Sequence, residues 1–106
     1  MDNQQSQDLI EQIKEFLRAI DADEAILFGS RARGDALETS DVDLVIIDDK
    51  FVDMPFARRL IYVSERWTLS YFLEALPYTH AEFKKLANTR GVINDAIKNG
   101  IRIKAA

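Results

Sequence analysis

Residues 25–47 read AILFGSRARGDALETSDVDLVII, and this stretch decides the predicted fold. It begins and ends with short apolar runs, 25–28 and 42–47, which favour buried strands because they are too short for buried helices. The residues between the runs are small, charged and polar, as in a turn that can include one helical turn. The stretch therefore predicts two strands, the second of them central, joined by a polar turn.

Amphipathic segments on both sides of this stretch predict helices. Apolar residues recur at helical spacing over 8–20, and again after Pro55, which suits the first turn of a helix. Thr79 and Glu82 have the spacing of a capping box, so a helix is expected to start at Thr79. We therefore expect helices to pack against the strands.

The remaining segments complete the predicted order of elements. The apolar run 69–76 is interpreted as a third strand that Pro77 closes. A last helix is predicted over 91–99 with Gly100 as its C′ residue, followed by a short edge strand at 101–104. This order predicts a mixed α/β (α+β) fold with helices flanking a small mixed sheet, and a single domain over 1–106.

Composition excludes several classes of protein. The chain has 106 residues, of which 47% are hydrophobic, so wholesale disorder is excluded. It contains no cysteine and one histidine, which excludes disulfides, a cysteine nucleophile and a His-rich metal site. Apolar runs are too short to span a membrane, and the polar start MDNQQSQD does not resemble a secretory signal, so we expect a cytoplasmic protein.

The charge is divided unevenly along the chain. Residues 1–53 carry 14 acidic and 5 basic residues, whereas 54–106 carry 4 acidic and 9 basic residues, and the net charge is −4. The acidic first half would repel phosphate unless cations intervene. Direct binding of nucleic acid is therefore not expected.

Two aspartates open the second predicted strand. Asp41 and Asp43 occupy positions i and i+2, so their side chains project to the same face. Neighbouring carboxylates repel each other, and a divalent cation with a preference for oxygen, above all Mg²⁺, would neutralise them. Because Mg²⁺ commonly completes its shell with substrate phosphates, the pair indicates a nucleotide site.

Glycine and serine follow the first predicted strand. Gly29 allows the backbone to turn and to approach a ligand closely, and Ser30 offers a hydroxyl group to a phosphate. Arg31 and Arg33 lie within reach of the same anion. The segment lacks the Gly-Lys-Ser/Thr ending of a Walker P-loop.

The spacing of these residues resembles a known signature. Gly29-Ser30, ten intervening residues and Asp41-Val42-Asp43 resemble the motif of the polymerase-β-like nucleotidyltransferase superfamily, and GSRARGDALETSDVDL looks closest to its minimal nucleotidyltransferases, the MNT proteins. The resemblance implies the mixed sheet of that fold. It also implies phosphate contacts at Gly29 and Ser30, with Ser40 a further nucleotide-binding candidate, and two Mg²⁺ ions at Asp41 and Asp43, with ATP as substrate.

The superfamily uses a third carboxylate on a later strand, and Glu74 is the candidate here. It lies in an apolar run, where a charge is costly unless it is paired or bound to a metal. Many relatives have Asp at the equivalent place, so the longer Glu can alter the metal geometry. The alternatives are an edge-strand glutamate that faces water, or a partner of Arg58 or Arg59.

The resemblance also implies a partner and a reaction. MNT proteins commonly act beside a HEPN-type RNase toxin, which they neutralise by transferring AMP from ATP to a tyrosine, so we expect an antitoxin that forms a hetero-oligomer. One alternative is a non-catalytic antitoxin that acts by binding. Another is a nucleotidyltransferase for a small molecule such as an aminoglycoside, although such enzymes usually carry an extra substrate domain.

Overall fold

The computed structural model describes residues 3–34 and 41–105. The mixed α+β class predicted from the sequence is confirmed. The elements in these ranges are helices α1 (Asn3–Ala19), α2 (Ser30–Arg33), α3 (Phe56–Arg66), α4 (His80–Ala87) and α5 (Val92–Asn99), a 3₁₀ helix (Asp49–Asp53), and strands β1 (Glu24–Phe28), β2 (Val42–Ile47), β3 (Leu73–Tyr78) and β4 (Ile101–Lys104). No helix in the described part of the chain is long and apolar enough to cross a membrane.

The four strands form one mixed sheet in the order β3-β2-β1-β4. Strand β1 is antiparallel to both of its neighbours, β2 and β4. Strands β2 and β3 are parallel, and α3 forms the crossover between them, as parallel pairing requires. The predicted central position of 42–47 and the predicted edge position of 101–104 are both confirmed.

Helices cover both faces of the sheet. On one face, side chains of α1 pack against the even-numbered residues of β2. Leu17 of α1 and Leu44 of β2, for example, belong to the same buried cluster. On the other face, α4 and α5 supply Phe83 and Ile93 to a cluster that contains Val45. Strand β2 is therefore buried on both sides, which explains why its sequence is apolar without alternation.

The third strand begins and ends later than predicted. It covers Leu73–Tyr78 rather than 69–76, so Pro77 lies inside the strand and does not close it. Strand β3 is an edge strand of the sheet. The carbonyl of Phe72 accepts a hydrogen bond from the N–H of Val42, and the carbonyl of Tyr78 accepts one from the N–H of Asp48. The backbone N–H and C=O groups of alternate residues in β3 point away from β2, and Pro77 is one of these residues. No hydrogen bond between the two strands therefore needs the N–H that proline lacks.

Helix α5 ends at Asn99, as predicted, but the reason for Gly100 differs. Its φ of −89° is extended rather than left-handed, so it does not form the αL cap that a C′ glycine usually supplies. A Cβ built on Gly100 would overlap the carbonyl oxygens of Ala96 and Leu27. The glycine is therefore required by the close approach of α5 to β1.

Candidate active site

The turn after β1 brings the backbone against an acidic side chain. Gly29 has a φ of 74°, and its carbonyl accepts from the N–H groups of Ala32 and Arg33, both at 3.1 Å, to begin the single turn α2. A Cβ built on Gly29 would overlap Oδ2 of Asp43. Glycine is thus needed for both its conformation and its lack of a side chain.

Two of the predicted carboxylates lie side by side in the sheet. Asp43 of β2 is in register with Phe28 of β1 on one side and with Glu74 of β3 on the other. Residues in register project to the same face, here the face covered by α4 and α5. The structure therefore brings Asp43 and Glu74 together.

The electrostatics of Asp43 follow from this arrangement. Burial, a hydrogen bond with Glu74 and the negative charges of Glu74 and Asp41 raise the pKa of Asp43 to about 6, although the positive charge of Arg33 opposes the shift. Burial disfavours the ionised form, and neighbouring carboxylates add to that effect. A cation bound here would favour the ionised form, so the acidic surroundings of Asp43 suit a cation.

One atom of Asp43 supports the same conclusion. Its Oδ1 is buried and has no hydrogen-bond partner, whereas Asp41 and Glu74 are exposed. Buried polar oxygens are normally paired, and a divalent cation would pair this one. The residues present therefore fit a Mg²⁺ ion bound by Asp43 and Glu74, with Asp41 close enough for its charge to act on Asp43.

A complete three-ligand group is not assembled. Within 3–34 and 41–105, no three acidic, histidine or cysteine side chains are arranged to hold a metal ion. Of the alternatives for Glu74, a pairing with Arg59 is not what the structure shows, because Arg59 binds Glu82 instead. The role of Asp41, Asp43 and Glu74 as a set of metal ligands stays a prediction.

The two arginines of the motif point in different directions. Arg33 is exposed and lines a cavity of about 390 Å³ beside Gly29. Arg31 is only 5% exposed, and its guanidinium lies 4.6 Å from the ring centre of Tyr71, on the opposite side of the turn. Arg33 is therefore the arginine that shares a cavity with Gly29. Of the two serine candidates, Ser30 is the first residue of α2, and Ser40 lies outside the described residues.

The cavity beside Gly29 includes residues that sequence reasoning did not single out. Phe28, Asp95 and Asn99 complete its lining, and the last two come from α5. Asn99 donates a hydrogen bond from Nδ2 to Oδ1 of Asp95 at 2.8 Å. Polar residues four apart on an exposed helix face are common, so their spacing alone carries no functional signal.

A second, more apolar cavity is lined in part by Glu74. It measures about 680 Å³ and is formed between α3, β3 and the start of α5, with Leu60, Ile61, Leu76 and Val92 in its lining. Among residues 3–34 and 41–105, Glu74 is the one acidic residue in its lining. Glu74 thus lies beside Asp43 and also lines the apolar cavity.

Comparison with known proteins relates the chain to nucleotidyltransferases. The sequence profile of a family described as "Nucleotidyltransferase domain" matches residues 10–103. A protein of Methanocaldococcus jannaschii, described provisionally as a protein adenylyltransferase, is 34% identical over an alignment of 98 positions, and the match covers 87% of this chain and 94% of that protein. The crystal structure of a Sulfolobus solfataricus protein, described provisionally as a nucleotidyltransferase, has 26% identity and a TM-score of 0.57, and the match covers 76% of this chain and 75% of the other.

Proposed function

The chain belongs to the nucleotidyltransferase domain family, and we propose that it transfers AMP from ATP to a hydroxyl group of another protein. In this transfer the hydroxyl oxygen loses its proton and bonds to the α-phosphorus, the bond from that phosphorus to the oxygen bridging to the β-phosphate breaks, and pyrophosphate leaves. The observation that carries this proposal is Asp43, which lies against the Gly29 turn, in register with Glu74, with a buried and unpaired Oδ1. The relative described provisionally as a protein adenylyltransferase supports a protein acceptor.

Each part of the site has a task in this reaction. Asp41, Asp43 and Glu74 would hold two Mg²⁺ ions, which when bound neutralise the phosphates and favour attack by a hydroxyl group. Gly29, Ser30 and Arg33 would bind the phosphates. Glu74 borders the apolar cavity, and an acceptor hydroxyl on an apolar segment would reach the site from there.

The proposed acceptor is a tyrosine of a HEPN-type RNase toxin, and the chain would then be its antitoxin. The support for this partner is the resemblance of GSRARGDALETSDVDL to the MNT proteins. The apolar cavity beside Glu74 suits an aromatic side chain, whose apolar ring and polar hydroxyl match an apolar lining that ends in a carboxylate.

The experiment is to incubate the chain with the protein encoded by the neighbouring gene, where the proposal expects a HEPN-type protein, together with ATP and Mg²⁺, and to weigh that protein by intact mass spectrometry. We expect its mass to rise by one or more AMP units. Asp41→Asn and Asp43→Asn should abolish the increase, and Asp53→Asn, at an exposed site on the 3₁₀ helix, should not.

The variants also separate lost chemistry from lost folding. At pH 7 Asp43 is mostly ionised, since its pKa is raised only to about 6, but burial and the neighbouring carboxylates make this ionised form cost stability in the folded chain. Asp43→Asn is therefore expected to melt at the same temperature as the parent chain or higher. A stable complex without added mass would support neutralisation by binding instead, and modification of an added aminoglycoside would support a small-molecule acceptor.

A further inference from the structure

The cavity beside Gly29 has two chemically different sides. One side is formed by the Gly29 turn and by Arg33 of α2, the groups proposed to bind phosphate. The other side is formed by Asp95 and Asn99, which lie one helical turn apart on α5. Phe28 lies between the two sides at the end of β1.

The side formed by α5 is suited to neutral donor groups and not to phosphate. A carboxylate accepts hydrogen bonds and repels phosphate, so Asp95 would be a poor neighbour for a triphosphate. Asn99 already donates from Nδ2 to Oδ1 of Asp95, which orients its amide and turns its own Oδ1 away from that contact. The two side chains together therefore present mainly acceptors to a ligand in the cavity.

The ribose of a nucleotide is the unit that meets these requirements. Its 2′ and 3′ hydroxyl groups are adjacent donors, and carboxylates bind ribose hydroxyls in other nucleotide sites. Ribose is also the first unit beyond the phosphates, so it is the unit that a cavity of about 390 Å³ shared with Gly29 and Arg33 would hold. The base lies one unit farther from the phosphates.

We infer that Asp95 and Asn99 form the ribose subsite of the nucleotide. The inference rests on the proposed function, since it assumes that a nucleoside triphosphate binds with its phosphates at Gly29 and Arg33. It adds a distinction between ribose and deoxyribose substrates. Both residues lie in the second half of the chain, outside the motif that carries the resemblance.

The test is isothermal titration calorimetry on the full chain with Mg²⁺ and three probes: ATP, 2′,3′-dideoxy-ATP and inorganic tripolyphosphate. The parent chain is expected to bind ATP about fivefold to tenfold more tightly than dideoxy-ATP, the loss expected for one or two hydrogen bonds. Asp95→Ala should bind ATP and dideoxy-ATP alike and should bind tripolyphosphate as the parent chain does. Asn99→Ala should reduce the preference for ATP in the same direction.

The matched control is Asp53→Ala, which removes one negative charge from an exposed position on the 3₁₀ helix. It should keep the full preference for ATP. Equal losses of ATP and dideoxy-ATP affinity in Asp95→Ala would overturn the inference and leave the proposed function standing. A parent chain that binds none of the three probes would overturn both.

Discussion

At the scale of single residues, the site depends on the contact between Gly29 and Asp43. The turn after β1 passes so close to Oδ2 of Asp43 that a side chain at residue 29 has no room. Gly34, five residues later, also has a positive φ, 83°, but no atom of residues 3–34 and 41–105, its chain neighbours aside, lies within 4 Å of the position of its missing Cβ. Gly34 has the left-handed helical conformation, with a ψ of 8°, whereas Gly29 has a ψ of −155°, a combination open almost only to glycine. The two glycines thus differ both in conformation and in the space around them.

This difference predicts unequal effects of the same substitution. Gly34→Ala should lower the free energy of unfolding by about 1 to 2 kcal/mol, because an L-residue is strained at positive φ. Gly29→Ala should cost more, because its backbone conformation is open almost only to glycine and because Asp43 must also move. Urea unfolding at pH 7 measures the loss for each variant, and equal losses would contradict this prediction.

At the scale of elements, one buried guanidinium joins three segments around β3. Arg59 of α3 is 6% exposed and donates from Nε to the carbonyl of Met54 at 2.9 Å and from Nη1 to the carbonyl of Pro77 at 3.2 Å. Its Nη1 and Nη2 also bind the carboxylate of Glu82, at 2.6 and 3.1 Å. Because β3 carries Glu74, these bonds hold the strand that carries the proposed third carboxylate.

Glu82 also closes the capping box that was predicted from the sequence. Its Oε1 accepts from the backbone N–H of Thr79 at 2.8 Å, and Oγ1 of Thr79 accepts from the backbone N–H of Glu82 at 3.2 Å. The hydrogen bond from Arg59, assisted by that from Thr79, lowers the pKa of Glu82 to about 2. The ionised carboxylate therefore stabilises the start of α4 and its contact with α3.

The lowered pKa predicts how stability depends on pH. In the folded chain Glu82 stays ionised below its ordinary pKa of 4.5, so its contribution is present above that pH and is lost as the pH falls towards 2. Glu82→Gln should be less stable than the parent chain at pH 7, and the difference should shrink over this range. Urea unfolding followed by circular dichroism at several pH values measures it.

A matched control for this prediction is Glu11→Gln. Glu11 forms an exposed ion pair with Lys14 at 3.4 Å within α1, and such pairs contribute little to stability. Its effect on the free energy of unfolding should be small throughout the same pH range. A difference for Glu82→Gln that stays constant from pH 7 to pH 2 would contradict the role assigned to ionised Glu82.

At the scale of the whole molecule, Asp43 and Glu74 are each associated with a different cavity: Asp43 lies against Gly29, which lines one, and Glu74 lines the other. The cavity at Gly29 contains Arg33 and Asp95, and the cavity between α3 and β3 is mainly apolar. Ile61 is 58% exposed and lines the apolar cavity. The arrangement suits a nucleotide on one side and a protein acceptor on the other.

This division predicts that the two substrates can be affected separately. Ile61→Asp places a charge in the proposed acceptor cavity, and transfer of AMP to the HEPN-type protein should fall about tenfold, since burying an unpaired charge opposes binding by at least 1.4 kcal/mol. Affinity for ATP should not change. Intact mass spectrometry over a time course measures the first effect, and calorimetry measures the second.

The control is Val52→Asp, which adds the same charge at a residue of the 3₁₀ helix that is 67% exposed. It should leave both transfer and ATP affinity as in the parent chain. Equal loss of transfer in the two variants would place the acceptor elsewhere. Loss of ATP affinity in Ile61→Asp would show that the two cavities are not independent.

The sequence by itself determined the elements and the motif. Helical spacing in α1, the capping box at Thr79 and the apolar run of β2 are local patterns, and each predicted its element because neighbouring residues decide backbone preference. Gly29, Asp41 and Asp43 could be chosen as candidates for the same reason, since the spacing of Asp41 and Asp43 predicts a shared face within a strand, although β2 begins only at Val42.

Only the tertiary structure decided which distant residues meet. The bounds of β3 depended on its position at the sheet edge, where Pro77 is tolerated, and the pairing of Glu74 with Asp43 depended on the register of β2 and β3. Likewise, the place of Asp95 beside Arg33 depended on the packing of α5 against β1. Register and packing arise from hydrogen bonds and burial between segments far apart in the chain, and a local sequence pattern does not specify them.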